Sequence, residues 1–328
     1  MDSFRTAIDP LPHAGALSHD TPMMLLGSCF TTSVGARLRR DGFDVTVNPL
    51  GTLYNPASVE ATVTRIAIGR EFEAGEILEA DGLCHTLWSH TSLSRPTPAE
   101  TLSVHNRALD EAREALGRCH TMIITLGTAW VFRLRSTGMV VANCHKLPSE
   151  TFERTCLSVE ETTDSLRRLI GAARGLNPSL RFIFTVSPIR HAADGAHGNQ
   201  LSKSTLLLAI DRIVACMPDS AAYFPSYEIM MDDLRDYRFY AADMRHPSEV
   251  AIDYIYSLFG QSYFNTATIG LARRCRALSA RLAHRTIGNR TSEADEFAAK
   301  TAELARQLVE AYPCLRHNYT DLLQSPRI

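Results

Sequence analysis

The feature of this chain that most restricts its fold is a recurring alternation of short apolar runs with longer amphipathic stretches. PMMLL (22–26), FDVTV (43–47), TMIITL (121–126), RFIFTV (181–186) and residues 221–224 have the length and composition of buried strands. Helical spacing follows. Residues 31–40 put Val34 and Leu38 on one side and Arg37, Arg39 and Arg40 on the other, and 57–68, 98–117, 158–174 and 199–217 continue the pattern. Strands apolar on both faces must be covered on both faces, and strand–helix–strand units of this length make parallel neighbours. The expected fold is α/β, a three-layer α/β/α arrangement around a central parallel sheet, occupying residues 1–262.

Some stretches depart from that alternation. Residues 76–87 read as a β-hairpin turned at Asp81-Gly82, inserted between sheet elements. Val131–Leu134 and Met139–Val141 read as a second hairpin, turned through Ser136-Thr137-Gly138. Beyond residue 262 the character changes. Residues 271–282 and 292–312 carry apolar positions at helical spacing, among them Leu304, Leu308 and Ala311, with the polar turn Gly288-Asn289-Arg290 between them. A helical C-terminal appendage over 263–328 is expected, packing on the core or joining a homo-oligomer.

Charge and composition exclude several function classes. The 34 basic and 36 acidic side chains leave a formal net charge of −2, with no footprint of nucleic acid or an anionic membrane. Arg273, Arg274, Arg276 and Arg281 fall on one helix-like segment and read as a solvated face. The eight cysteines are scattered without a C-x-x-C pair, so no disulfide framework is expected. The amino-terminal stretch lacks the apolar core of a secretion signal, and no run reaches the roughly 18 apolar residues of a membrane span. A soluble, reduced, cytoplasmic protein is expected.

In open parallel sheets ligands bind at the carboxyl ends of the strands. The segments leaving the strands are Gly27-Ser28-Cys29-Phe30, Asn48-Pro49-Leu50-Gly51, Gly127-Thr128-Ala129-Trp130 and Ser187-Pro188-Ile189-Arg190-His191. Asp243-Met244-Arg245-His246 precedes the last helix of the domain, which Pro247 is expected to open at its first turn. Ser28, between a strand and a helix, would sit beside free N–H groups and a positive dipole end, which suits a nucleophile that creates an oxyanion. A serine in that place also serves as an ordinary helix cap. Asp243 and His246 can fold a carboxylate onto imidazole Nδ1, leaving Nε2 to accept a hydroxyl proton. Taken singly, both are ordinary turn residues; the pairing with Ser28 is what points to Ser-His-Asp chemistry.

These residues resemble the SGNH (GDSL-like) hydrolase superfamily, and more closely the GSCFA domain family within it. Gly27-Ser28-Cys29-Phe30 stands where the latter has its name-giving motif, with Thr31 in place of the alanine. NPLGTLYNP (48–56), TLGTAWVF (125–132), NCHKLP (143–148), TVSPIRH (185–191) and YFPSYEIMMDDLRDYRFYAADMRHPS (223–248) are similar to the same family, covering about residues 20–262. The resemblance implies an SGNH/flavodoxin-like fold and a serine esterase or acyltransferase acting through an acyl-enzyme on an O-acyl ester. By analogy with glycan-modifying relatives, the ester would be an acetyl group, carbohydrate-linked. It also implies roles: Ser28 as nucleophile, His246 as base, Asp243 as its orienter, and the N–H groups of Ser28 and Gly51 in an oxyanion hole. One departure stands out. Where SGNH enzymes carry an oxyanion-binding asparagine, this chain has Ala129; Asn143 and His145 are the candidate replacements.

Other residues are candidates for substrate contact. His90 and Trp130 are placed to line a saccharide-sized cleft, and Arg190 and His191 to hold a carboxylate or phosphate on the substrate, with His145 nearby. Asn199 and Lys203 are expected to serve the start of their helix, and Tyr237, Arg238 and Tyr240 to brace the His246 turn. Cys29 is the alternative nucleophile, but its side chain should point away from the cleft if that of Ser28 points in. Cys29, Cys144, His145 and His90 lack metal-ligand spacing, so neither a metal nor a cofactor is expected. The expected partner is a small-molecule or saccharide ester. The competing reading is a non-catalytic binding module or scaffold, which the alanine at 129 favours.

Overall fold

Strand β1 (Met23–Gly27) is buried along its whole length and lies inside a five-stranded parallel sheet. The sheet order is β2 (Val45–Val47), β1, β5 (Thr121–Leu126), β9 (Arg181–Val186), β10 (Ala221–Tyr223). This computed structural model describes residues 6–9, 12–13, 16–284 and 292–320. The two faces of each strand pack into separate cores. Met24, Leu26, Ile124 and Phe184 meet α2 (Pro56–Ile68), α3 (Pro98–Arg118), α4 (Val159–Leu176) and α5 (Gly195–Cys216). Met23, Leu25, Ile123 and Ile183 meet α1 (Cys29–Arg40) and α7 (Glu249–Tyr263). The fold is thus three-layer α/β/α, and each large apolar side chain sealed between layers contributes roughly 1.5–3 kcal/mol.

The chain steps outward from β1 to β2, then crosses back to place β5 on the other side of β1. That reversal opens a crevice at the carboxyl ends of β1 and β5, the place where such sheets bind ligands. Gly27 permits the close approach there. Its φ is +140°, and a Cβ on it would lie 2.1 Å from the Thr125 carbonyl oxygen.

Two small antiparallel sheets flank the main one. β3 (Ile77–Ala80) and β4 (Leu83–Thr86) form the expected hairpin, with Asp81 and Gly82 both at positive φ. β6 (Trp130–Leu134) pairs with β7 (Val140–Val141) and also with β8 (Phe152–Cys156), a strand the sequence pattern concealed. Only Phe152 of β8 is buried, so no apolar run marks it. The expected strand at 43–47 shortens to Val45–Val47, because Phe43 leaves the strand direction to enter the core. Pro247 does not open α7. Ser248 caps that helix by accepting from the Ala251 N–H (3.3 Å), while Pro247 pairs with Tyr240 in an isolated bridge. Between β10 and that bridge run the short helix α6 (Ser226–Glu228) and a π-helical turn, Ile229–Asp233.

Beyond α7, helices α8 (Thr266–Leu282) and α9 (Ser292–Ala311) bury Leu271, Leu278, Ala305 and Leu308 against each other. They dock on the end of α1 through Asp41, whose buried carboxylate receives Arg276 Nε (2.9 Å) and the Tyr256 hydroxyl (3.0 Å). Ser279 Oγ donates to the Arg40 carbonyl and Asn318 Nδ2 to that of Gly42. The turn expected at Gly288-Asn289-Arg290 lies outside the described residues. Among the described residues no helix is long and apolar enough to cross a membrane.

Candidate active site

Ser28 is the residue before α1, in extended conformation, at the carboxyl end of β1. Its side chain does not cap the helix, and its buried hydroxyl has no hydrogen-bond partner. A serine that merely capped would spend that oxygen on a backbone N–H of the first turn. Leaving a buried hydroxyl unpaired costs about 1–3 kcal/mol, so such a group calls for a reason beyond folding.

Asp243 and His246 come from the exposed turn that ends at Pro247. The turn is bound from within: Asp243 Oδ1 accepts the N–H groups of Arg245 and His246, each at 3.0 Å, and Oδ2 takes His246 Nδ1 at 2.5 Å. Met244 adopts positive φ to make the reversal. The His246 N–H, the imidazole and the Arg245 N–H hold the Asp243 carboxyl well below the usual carboxylate range. With Nδ1 donating to the carboxylate, Nε2 is left as the free acceptor.

Ser28 and His246 line one cleft of about 610 Å³ at the crevice between β1 and β5. No hydrogen bond joins them. Trp130, Asn143, Arg190 and His191 line the same cleft, as their positions in the sequence suggested. His191 is neutral at pH 7: burial, followed by the charge of Lys203, lowers it to about 4. Cys29 also lines the cleft, against the expectation that it would point away; on a helix's first turn both adjoining side chains reach the opening. Burial pushes the Cys29 thiol up, away from the thiolate form a sulfur nucleophile requires.

Several expectations are corrected. His90 is not part of the cleft wall; it caps a short 3-10 turn, and its Cβ fills the space that a side chain on Gly51 would need. His145 is buried, with Nε2 on the Thr86 carbonyl (2.9 Å), Nδ1 on Thr91 Oγ1 (3.2 Å) and its ring stacked on His85. It braces a loop and does not face the cleft. Tyr237 is 75% exposed, with its ring 6.1 Å from that of Tyr240, and Tyr240 is the one that meets the turn, through its bridge to Pro247. Lys203 lies well inside α5, fully buried, and donates to the carbonyls of Gly127 (2.6 Å) and Ser187 (2.8 Å). It therefore ties the ends of β5 and β9 together beneath the cleft. Asn199 receives the His191 N–H on Oδ1 (2.9 Å) and so holds the loop after β9. Among the described residues no three His, Cys, Asp or Glu side chains come together as metal ligands.

The oxyanion donors are also corrected. The Ser28 N–H donates to the Thr125 carbonyl (3.2 Å) and the Gly51 N–H to that of Asn48 (2.8 Å), so neither is free, and Gly51 lies outside the cleft wall. The Ala129 N–H is taken by Ser202 Oγ (2.8 Å). Asn143 gives Oδ1 to the His145 N–H and places Nδ2 3.4 Å from Thr91 Oγ1. The residue not anticipated is Asn55. It caps α2 with Oδ1, accepting the Ser58 N–H at 2.8 Å, and it lines the cleft beside Ser28. That bond fixes the amide oxygen, and no acceptor among the described residues takes Nδ2. The Asn-Pro pair before a helix marks a cap, so the sequence signal was present but spoke only of structure. Arg154 was missed because β8 was: it stacks over the Trp130 ring (4.3 Å to the centroid) and pairs with Asp194.

The GSCFA family matches residues 22–259. No curated protein matches the chain. Among solved structures it is similar to a carbohydrate esterase family 3 protein from Talaromyces cellulolyticus, at 13% identity and a TM-score of 0.31, with 77% of this chain and 98% of that one covered.

Proposed function

This chain belongs to the GSCFA family, and from that premise we propose that it is a serine esterase or acyltransferase acting on an O-acyl ester. The observation that carries this reading is the unpaired Ser28 hydroxyl, which shares a cleft with an imidazole whose Nδ1 is already committed to a carboxylate. Ser28 Oγ attacks the ester carbonyl carbon as His246 Nε2 takes its proton. The carbonyl electrons move to oxygen, giving a tetrahedral oxyanion. Collapse expels the alkoxide, which recovers the proton from His246, and leaves an acyl-Ser28 ester. Water or an acceptor hydroxyl then repeats the sequence in reverse roles. Asp243 keeps the imidazole in the required tautomer and stabilises its charged form. Asn55 Nδ2 supplies the oxyanion donor that Ala129 does not. An acetyl group, on a carbohydrate or other hydroxyl compound, is the acyl group favoured.

For the first step the exposed 241–246 turn must bring His246 to Ser28. Loose contacts of this kind are common before substrate binds and tighten in the complex. The decisive comparison is hydrolysis of short-chain aryl acetates by the wild type, Ser28→Ala and His246→Ala. Losses of about 10³-fold or more are expected for both variants; equal rates in wild type and Ser28→Ala would remove the nucleophile. The second reading, a non-catalytic binding module, is favoured by the missing Ser28–His246 hydrogen bond. A fluorophosphonate probe separates the two, because only an activated serine becomes labelled.

A further inference from the structure

The charges around the cleft are one-sided. Arg154, Arg190 and Arg245 all line it; among the described residues Asp194 is the one carboxylate in its wall, with Asp243 just behind on His246. Asp194 is spent: it pairs with Arg154, and its side chain is 2% exposed. Arg190 and Arg245 are exposed, and among the described residues neither guanidinium pairs with a carboxylate; that of Arg190 contacts the Met231 sulfur at 2.9 Å, while Asp243 takes only the backbone N–H of Arg245. They arrive from segments far apart in the chain, one after β9 and the other inside the Asp243–His246 turn, and converge on one opening. All this stands in a protein whose overall formal charge is −2. Elsewhere on the surface Arg168 sits with Glu60 and Arg212 with Glu160.

Resting on the esterase reading, we infer that the substrate is anionic: the compound whose hydroxyl carries the acyl group also bears a carboxylate or phosphate, which Arg190 and Arg245 receive. A guanidinium presents two parallel N–H groups to either anion, and a wall that is apolar at Trp130 strengthens the contact by thinning the water around it. Arg245 precedes His246 directly, so an anion bound there draws the turn, and with it the base, toward the opening.

The test uses three acetyl esters of similar size: O-acetylglycolate, 2-acetoxyethyl phosphate and the neutral O-acetylglycolamide. The wild type should favour at least one anionic ester over the amide by about tenfold or more in kcat/KM, with the preference falling as salt rises. The better of the two anions identifies the group. Arg190→Gln and Arg245→Gln should each reduce that preference without removing it, and Arg190→Glu should abolish it. Hydrolysis of all three esters at similar kcat/KM, or variants that slow all three alike, would overturn the inference while leaving the esterase reading intact. If the wild type hydrolyses none of them, the esterase reading fails separately. The charge inference is then decided by calorimetry with glycolate and 2-hydroxyethyl phosphate against glycolamide: anion-selective binding lost in Arg190→Gln supports it, and no selectivity overturns it.

Discussion

At the scale of single residues, Asn55 shows how one side chain can hold two assignments. Its oxygen is fixed by the Ser58 N–H, and among the described residues the amide nitrogen has no further partner. A donor held in this way loses little when an oxyanion forms, because nothing need reorganise. Asn55→Ser retains a cap acceptor but withdraws the donor. We expect kcat for an aryl acetate to fall by about 10²–10³-fold while the melting temperature stays near that of the wild type. A comparable loss of stability and activity would mark Asn55 as a cap only. From the sequence, Asn143 or His145 is expected to supply this donor. Proximity to the cleft was read correctly there, but hydrogen bonding was not, since Asn143 Oδ1 is engaged by the His145 N–H and Nδ2 faces Thr91.

At the scale of elements, the site depends on how closely β1 and β5 can approach. Gly27 faces Thr125 across the pair, and a methyl group there would overlap a backbone carbonyl that cannot move without breaking the ladder. Gly27→Ala should cost about 3 kcal/mol or more, read as a lowered urea midpoint, or prevent folding. A midpoint within error of the wild type would show that the strands separate easily and that the crevice is not built by this contact. The strands and helices that carry this arrangement were legible because each buries a periodic face. β8 was not, because a strand lying over the surface with one buried residue leaves no period to read. Pro247 was misplaced for a related reason: a proline marks a helix start only to within a residue or so, and the cap went to the neighbour with a hydroxyl.

At the scale of the whole molecule, the C-terminal helices are joined to the α/β core by one buried acid. Asp41 is 0% exposed, and Arg276 on α8 neutralises it from the other side of the contact. Arg276→Met leaves that carboxylate with the Tyr256 hydroxyl and the more distant Arg40. Removing one partner of a fully buried pair costs roughly 3–5 kcal/mol; with Arg276 half exposed, about 2 kcal/mol is expected, measured by urea unfolding. An unchanged midpoint would mean that apolar packing and the Ser279 and Asn318 hydrogen bonds hold the helices without this pair. The same scale governs the cleft charge, since Arg190 and Arg245 come to line one cleft only through the fold.

What the amino-acid sequence determined on its own was the layered α/β plan and the short-range turn in which Asp243 takes hold of His246. Each follows from local spacing, and local spacing is written directly in the order of residues. Tertiary structure alone decided which N–H groups were already spent, that His90 and His145 face other neighbours, and that basic side chains from three segments border one opening. Those are matters of which groups meet after distant segments pack, and a hydrogen bond or a field between them has no counterpart in the spacing of either segment alone.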